Sequence, residues 1–121
     1  MAATLRSKLQ LKGGDSLELR GAPDGLDLSE LAEGDTVVGA LAFVSASADV
    51  PGQLAALTNA AAEPSGLAWG AYPKKSSGIE TDVTRDHGWD ALYEAGLQPV
   101  RQIAIDDTWS ALRFRRAEHV G

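Results

Sequence analysis

The sequence predicts an α/β domain: a single, mostly parallel sheet of about five strands, closed by an antiparallel carboxyl-terminal hairpin, with helices mainly on one face. Three observations predict it. Residues 36–44 are apolar on both alternating sets, Val37, Gly39, Leu41 and Phe43 against Val38, Ala40, Ala42 and Val44. That pattern marks a central parallel strand covered on both faces. Strand-like and helix-like segments then alternate up to Gly96. The chain closes with two alternating runs, 100–105 and 109–115, joined by Asp106-Asp107-Thr108, a link of hairpin length.

Taken in order, residues 3–11 form a short amphipathic segment carrying Leu5, Leu9 and Leu11, broken by Gly13-Gly14. Residues 16–20 alternate and read as a first strand. After the turn Gly21-Ala22-Pro23-Asp24-Gly25, Asp27 or Ser29 starts a short helix with Leu26, Leu28 and Leu31, ended by Gly34. The strand 36–44 is followed by Ser47 or Asp49 as a cap, Pro51 in a first turn, and a helix burying Leu54, Leu57 and Ala61 before Pro64 and Gly66. Residues 67–72 make a third, buried strand that leaves the sheet at Tyr72-Pro73, because proline cannot donate to a ladder. A helix is expected from about Thr84 to Ala95, capped by Thr81, Asp82 or Thr84 and ended by Gly96. Trp89, Leu92 and Tyr93 face inward on it, and Asp86, Asp90 and Glu94 form a solvated stripe.

The length of 121 residues suits one domain, 1–121, with a core of its own. No apolar run approaches the roughly 20 residues a membrane helix needs. The first residues lack an apolar leader core and the chain has no cysteine, so disulfides and thiolate chemistry are excluded and a cytoplasmic location is expected. The net charge is −6, with eight acids against Arg20 alone between Asp15 and Asp49. Such a surface repels a phosphate backbone, so nucleic acid is excluded as a partner.

The bases that remain collect at Lys74-Lys75 and at Arg113, Arg115 and Arg116. Lys74, Lys75, Ser76, Ser77 and Gly78 form a cationic loop between a strand's carboxyl end and the expected helix, a setting that suits an anion. If the last strand inserts antiparallel beside 67–72, Trp109 and Ser110 come next to Tyr72-Pro73, and Asp106 and Asp107 come close to Lys74. Ser45 and Ser47 share that edge, where open α/β sheets bind ligands. The candidate ligand site is therefore Lys74, Lys75, Ser76, Ser77, Gly78, Trp109, Ser110, Asp107 and Ser45. Each residue also has a plainer role: Lys74 with Asp107 as an ion pair, Trp109 as a core aromatic, Ser76-Ser77-Gly78 as a connection. His87 and His119 stand alone without metal-ligand spacing, no Ser/His/Asp set appears, and no catalytic residue or metal ligand is assigned.

The closing strand–helix–hairpin resembles the carboxyl half of a Rossmann-like, S-adenosylmethionine-dependent methyltransferase. Three segments, Tyr72-Pro73-Lys74-Lys75-Ser76-Ser77-Gly78, Thr81-Asp82-Val83-Thr84-Arg85 and Asp107-Thr108-Trp109-Ser110-Ala111-Leu112-Arg113-Phe114, resemble a small uncharacterised bacterial domain family over residues 36–116. The resemblance implies a truncated Rossmann-like fold and supplies no activity. A methyltransferase needs a glycine-rich turn after its first strand, and here that turn is Arg20-Gly21-Ala22-Pro23-Asp24-Gly25. No cofactor is therefore expected.

Three functions remain open: a non-catalytic binding or regulatory domain for a small anion or protein partner, a reduced methyltransferase-like transferase with Lys74 as anion clamp and Asp107 as base, and a structural homo-oligomer. If the strand order is first, second, third, fifth, fourth, right-handed crossovers put all three helices on one face. The other face must then be covered by residues 3–12 or by a second copy in a homodimer.

Overall fold

The computed structural model describes residues 4–63 and 65–120. Ala3, at the start of the expected amphipathic segment, and Pro64, the expected helix stop, lie outside them. Five strands, β1 (Asp15–Arg20), β2 (Thr36–Phe43), β3 (Leu67–Pro73), β4 (Leu97–Ala104) and β5 (Trp109–Arg116), form one sheet in the order β1-β2-β3-β5-β4. β1, β2 and β3 run parallel, and β5 is antiparallel to both β3 and β4.

The sheet is therefore mixed, which corrects the expectation of a mostly parallel, Rossmann-like one. Its antiparallel ladders together exceed its parallel ones, because the closing hairpin supplies two eight-residue strands. Helices are few and short: α1 (Leu5–Lys8), α2 (Leu54–Ala60) and α3 (Asp90–Glu94), with several single 3₁₀ turns between them. No helix among the described residues is long and apolar enough to cross a membrane.

The helices also do not share a face. α2 and α3 pack with Leu57, Ala61, Trp89 and Leu92 against Ala68, Tyr72, Leu112 and Phe114. The opposite face, with Leu41, Phe43, Trp69 and Ala111, is covered by Leu5, Leu9 and Leu11 and by Leu26, Leu28 and Leu31 of the β1–β2 connection. The two connections step the same way across the sheet on opposite faces, so they have opposite hands. Right-handedness is imposed by a helix packing back onto a twisted sheet. The first connection contains only the 3₁₀ turn Ser29–Leu31 and escapes that constraint.

With both faces covered, the bare surface that argued for a homodimer is gone. Among the described residues, the large apolar side chains that stay exposed (Val37, Ile79, Tyr93 and Val100) sit on different segments. The β4 edge carries Pro99 and a bulge at Val100, devices that discourage edge-to-edge pairing.

The expected helix 84–95 is reduced to five residues. Thr81 and Thr84 do not cap it. Their hydroxyls accept from the backbone N–H groups of Val83 (3.0 Å) and Asp86 (3.2 Å), which builds turns instead. Gly88 at φ 98° breaks any continuous helix there, and the segment instead delivers Trp89 into the core. The indole N–H of Trp89 donates to the Thr84 carbonyl at 2.8 Å, and its ring meets Tyr72 edge-on and Phe114 at a tilt.

β2 holds a further irregularity. Ser16 pairs with Val37 but Leu17 pairs with Gly39, so Val38 is an extra residue, a β-bulge. The bulge shifts the phase of the strand. Val38 packs with Leu41 and Phe43 instead of opposing them, and Val37 is left 66% exposed.

Candidate functional site

The carboxyl edge of the sheet brings together the residues that sequence reasoning placed there. Trp109 pairs with Pro73 and Ser110 with Tyr72, and the Lys74 N–H donates to the Thr108 carbonyl at 2.8 Å. The loop and the hairpin are thus tied by backbone. The Asp106 carboxylate accepts from the N–H groups of Thr108 (2.8 Å) and Trp109 (2.7 Å), which shapes the hairpin turn.

Side chains at this edge do not open onto one hollow. Trp109 is 7% exposed and meets Phe43 edge-on at 5.2 Å, so its indole seals the core. Ser110 is buried against the Tyr72 hydroxyl, which also accepts from Gln102 Nε2 at 2.9 Å. Burial raises the Tyr72 pKa, so the hydroxyl stays neutral and its hydrogen bonds stay intact at neutral pH.

Lys75–Ser77 forms a 3₁₀ turn ended by Gly78 at φ 81°, and the Ser77 hydroxyl accepts from the Ile79 N–H. Ser76 is exposed, and Ser45 engages its backbone N–H with the Asp49 carboxylate at 3.1 Å. Among the described residues Lys74 and Lys75 form no ion pair, and Asp107 is exposed without one. The expected Lys74–Asp107 ion pair is not formed; the acid engaged at this edge is Asp106, through the backbone N–H groups of Thr108 and Trp109.

Next to this edge, Ser47, Asp82, His87 and Asp90 line an open cleft of about 400 Å³. The Ser47 N–H donates to Asp82 Oδ1 at 2.8 Å, and the Ser47 hydroxyl donates to Asp82 Oδ2. Those two bonds hold the Asp82 carboxyl below the usual aspartate range. They clamp the loop after β2 to the loop after β3. A serine proton committed to a carboxylate is not presented to a histidine, so the geometry assigns no nucleophile.

The larger cleft, about 640 Å³, lies at the opposite, amino edge, and sequence reasoning missed it. Its floor is apolar: Val37, Val38, Ala40, Ala56, Ala60 and Leu67. Gln10, Lys12, Asp15, Glu18, Asn59, Glu63 and Ser65 form the rim. Two of the acids are engaged, Asp15 with the Lys12 N–H at 3.0 Å and Glu18 with Arg20 at 3.1 Å. With Lys12 against Asp15, Glu18 and Glu63, the rim stays net negative.

Topology creates this cleft. β2 begins three residues before its first pairing with β3, Gly39 with Leu67, so Thr36, Val37 and Val38 run on without a β3 neighbour. Gly39 permits the approach: a Cβ there would lie 1.8 Å from the Leu67 carbonyl oxygen. On the rim, Gln10 is held at φ 67°, the one non-glycine residue at positive φ among those described. Its amide oxygen accepts from Arg113 Nη1 at 2.6 Å. A strained backbone at a cleft wall is a known mark of a functional segment. The sequence signal for the cleft was Gly39 inside an apolar run, since a glycine in a strand interior marks a bulge or a close backbone approach.

Comparison with protein-family models, with curated proteins and with solved structures finds no match.

Proposed function

We propose that this chain is a non-catalytic binding domain, and that its amino-edge cleft holds an extended segment of a partner protein. One observation carries the reading: Val37, 66% exposed, belongs to the apolar lining of an open cleft of about 640 Å³. An apolar side chain left in water beside an open strand edge suits an extended peptide, which supplies both backbone groups and an apolar anchor.

The test is a titration of the ¹⁵N-labelled protein with the capped peptide acetyl-Gln-Leu-Val-Gln-Gln-amide. Amide shifts that saturate and centre on Val37, Val38, Ser65 and Gly66 are expected. Val37→Asp should weaken them about tenfold, the scale of one buried aliphatic contact of roughly 1.5 kcal/mol. The absence of shifts at millimolar peptide, or shifts centred on Trp109, would refute the reading.

A second reading, a small-anion site at Lys74–Gly78, is favoured by the two ammonium groups there, which form no ion pair among the described residues. Inorganic phosphate in the same titration addresses it, with shifts expected at Lys75, Ser76 and Ser77. The transferase alternative has less support, since Trp109 is sealed into the core and Asp107 has no ion pair with Lys74.

A further inference from the structure

Behind the cleft the charge pattern reverses. Arg101 and Arg113 lie directly opposite each other in the β4–β5 ladder, and Arg115 follows two residues on, facing the same way as Arg113. Like charges placed directly opposite are unfavourable. Arg113 reports it: its pKa is lowered by burial first, then by Arg115 and Arg101. Among the described residues neither Arg101 nor Arg113 has a carboxylate within ion-pair distance, in a chain that carries 17 acids against 11 bases.

This cationic strip adjoins the cleft. The Arg113 guanidinium donates to Gln10 Oε1 at 2.6 Å and to the Gly66 carbonyl at 3.4 Å, and both residues line the cleft. Both of those acceptors are neutral, so the positive charge of Arg113 is not cancelled where the cleft ends.

We infer that the segment held in the cleft carries carboxylates beside its apolar anchor, and that Arg101 and Arg113 receive them. The inference rests on the binding reading given above. The two arginines line neither cleft, so a small anion would not be enclosed there, whereas carboxylates on a peptide already anchored nearby need no enclosure. A polynucleotide fits less well, because it carries a phosphate at every residue and no aliphatic anchor for the apolar lining of the cleft.

Fluorescence anisotropy with labelled Leu-Val-Glu-Glu-Glu and Leu-Val-Gln-Gln-Gln peptides at low and high salt tests the inference. The acidic peptide should bind about tenfold tighter at low salt, the sum of a few half-exposed charge contacts. That advantage should fall below about twofold at high salt, where exposed charges are screened. Arg101→Gln, at an exposed position, should remove about threefold of the acidic peptide's advantage and leave the neutral peptide unchanged. Arg113→Lys, which keeps the charge but loses the fork to Gln10 and Gly66, should weaken both peptides. Equal binding of the two peptides would overturn the arginine inference and leave the cleft reading intact. Binding of neither would overturn both. A labelled hexathymidine that binds tighter than the acidic peptide would also overturn the inference.

Discussion

Replacing Gly39 by alanine tests how the cleft is built. An added Cβ would lie 1.8 Å from the Leu67 carbonyl oxygen, 2.6 Å from its carbon and 2.9 Å from its Cα. All three are backbone atoms, so no side-chain rotation relieves the clash. Even a close C–H···O contact needs about 3.3 Å, so β2 and β3 must part by roughly 1.5 Å at their first pairing. Overpacking of this kind costs about 1–3 kcal/mol, and the weakened first ladder hydrogen bond costs about 1 kcal/mol more. The smaller conformational entropy of the unfolded alanine chain offsets about 0.5–1 kcal/mol. The net destabilisation is about 1–3 kcal/mol. With a urea slope of about 1–3 kcal/mol per molar, the unfolding midpoint should fall by about 1 M. Gly52→Ala is the control, since a Cβ there meets nothing within 4 Å and its turn leads into α2. It should leave the midpoint unchanged or raise it slightly. Equal midpoints for the two variants would show that β2 and β3 are not in the tight register described.

Two further predictions concern the other face and the loop clamp. Trp89→Phe loses the 2.8 Å hydrogen bond to the Thr84 carbonyl and leaves space beside Tyr72 and Phe114. It should cost about 2–4 kcal/mol in thermal or urea unfolding, and a loss under 1 kcal/mol would show that the 84–89 segment is not anchored through the indole. The Asp82 pKa is lowered in the folded state by Ser47, so its contribution is present above about pH 4 and is lost as pH falls through the lowered native value. Asp82→Asn should therefore melt below the parent protein at pH 7, with the gap closing towards pH 2. A gap that stays constant with pH would remove Ser47 as the cause.

Much of the strand content was legible because it depends on local alternation. β1 and β5 were read from alternation and β3 from an uncharged apolar run that ends at a proline, and each became a strand. Trp109 and Ala111 fall on one face, Leu112 and Phe114 on the other, as their spacing in the chain requires. The meeting of Pro73 with Trp109 followed from placing the last strand antiparallel beside 67–72, an insertion that the family resemblance suggested. What those residues do at the edge was less legible. Whether an indole covers a core or faces a ligand depends on what packs beside it, and Phe43 decided that.

Helix 84–95 failed for a different reason. Its apolar spacing was real, but Gly88 at φ 98° and the turns at Thr81 and Thr84 placed Trp89 by a loop. A glycine's sign of φ cannot be read from composition. The amino-edge cleft was hidden because it depends on where β3 starts relative to β2, and on a one-residue bulge at Val38. Both are matters of register between segments that are distant in sequence.

By itself, then, the order of residues determined which segments became strands and that the last two close as a hairpin. Alternation is a local property of a chain, and so is the short loop that closes a hairpin. Only the tertiary structure decided which face each crossover covers, where β2 overhangs β3, and that Arg101, Arg113 and Gln10 adjoin. Those outcomes arise from competition among distant segments for the same apolar surface, a contest that no single window of sequence contains.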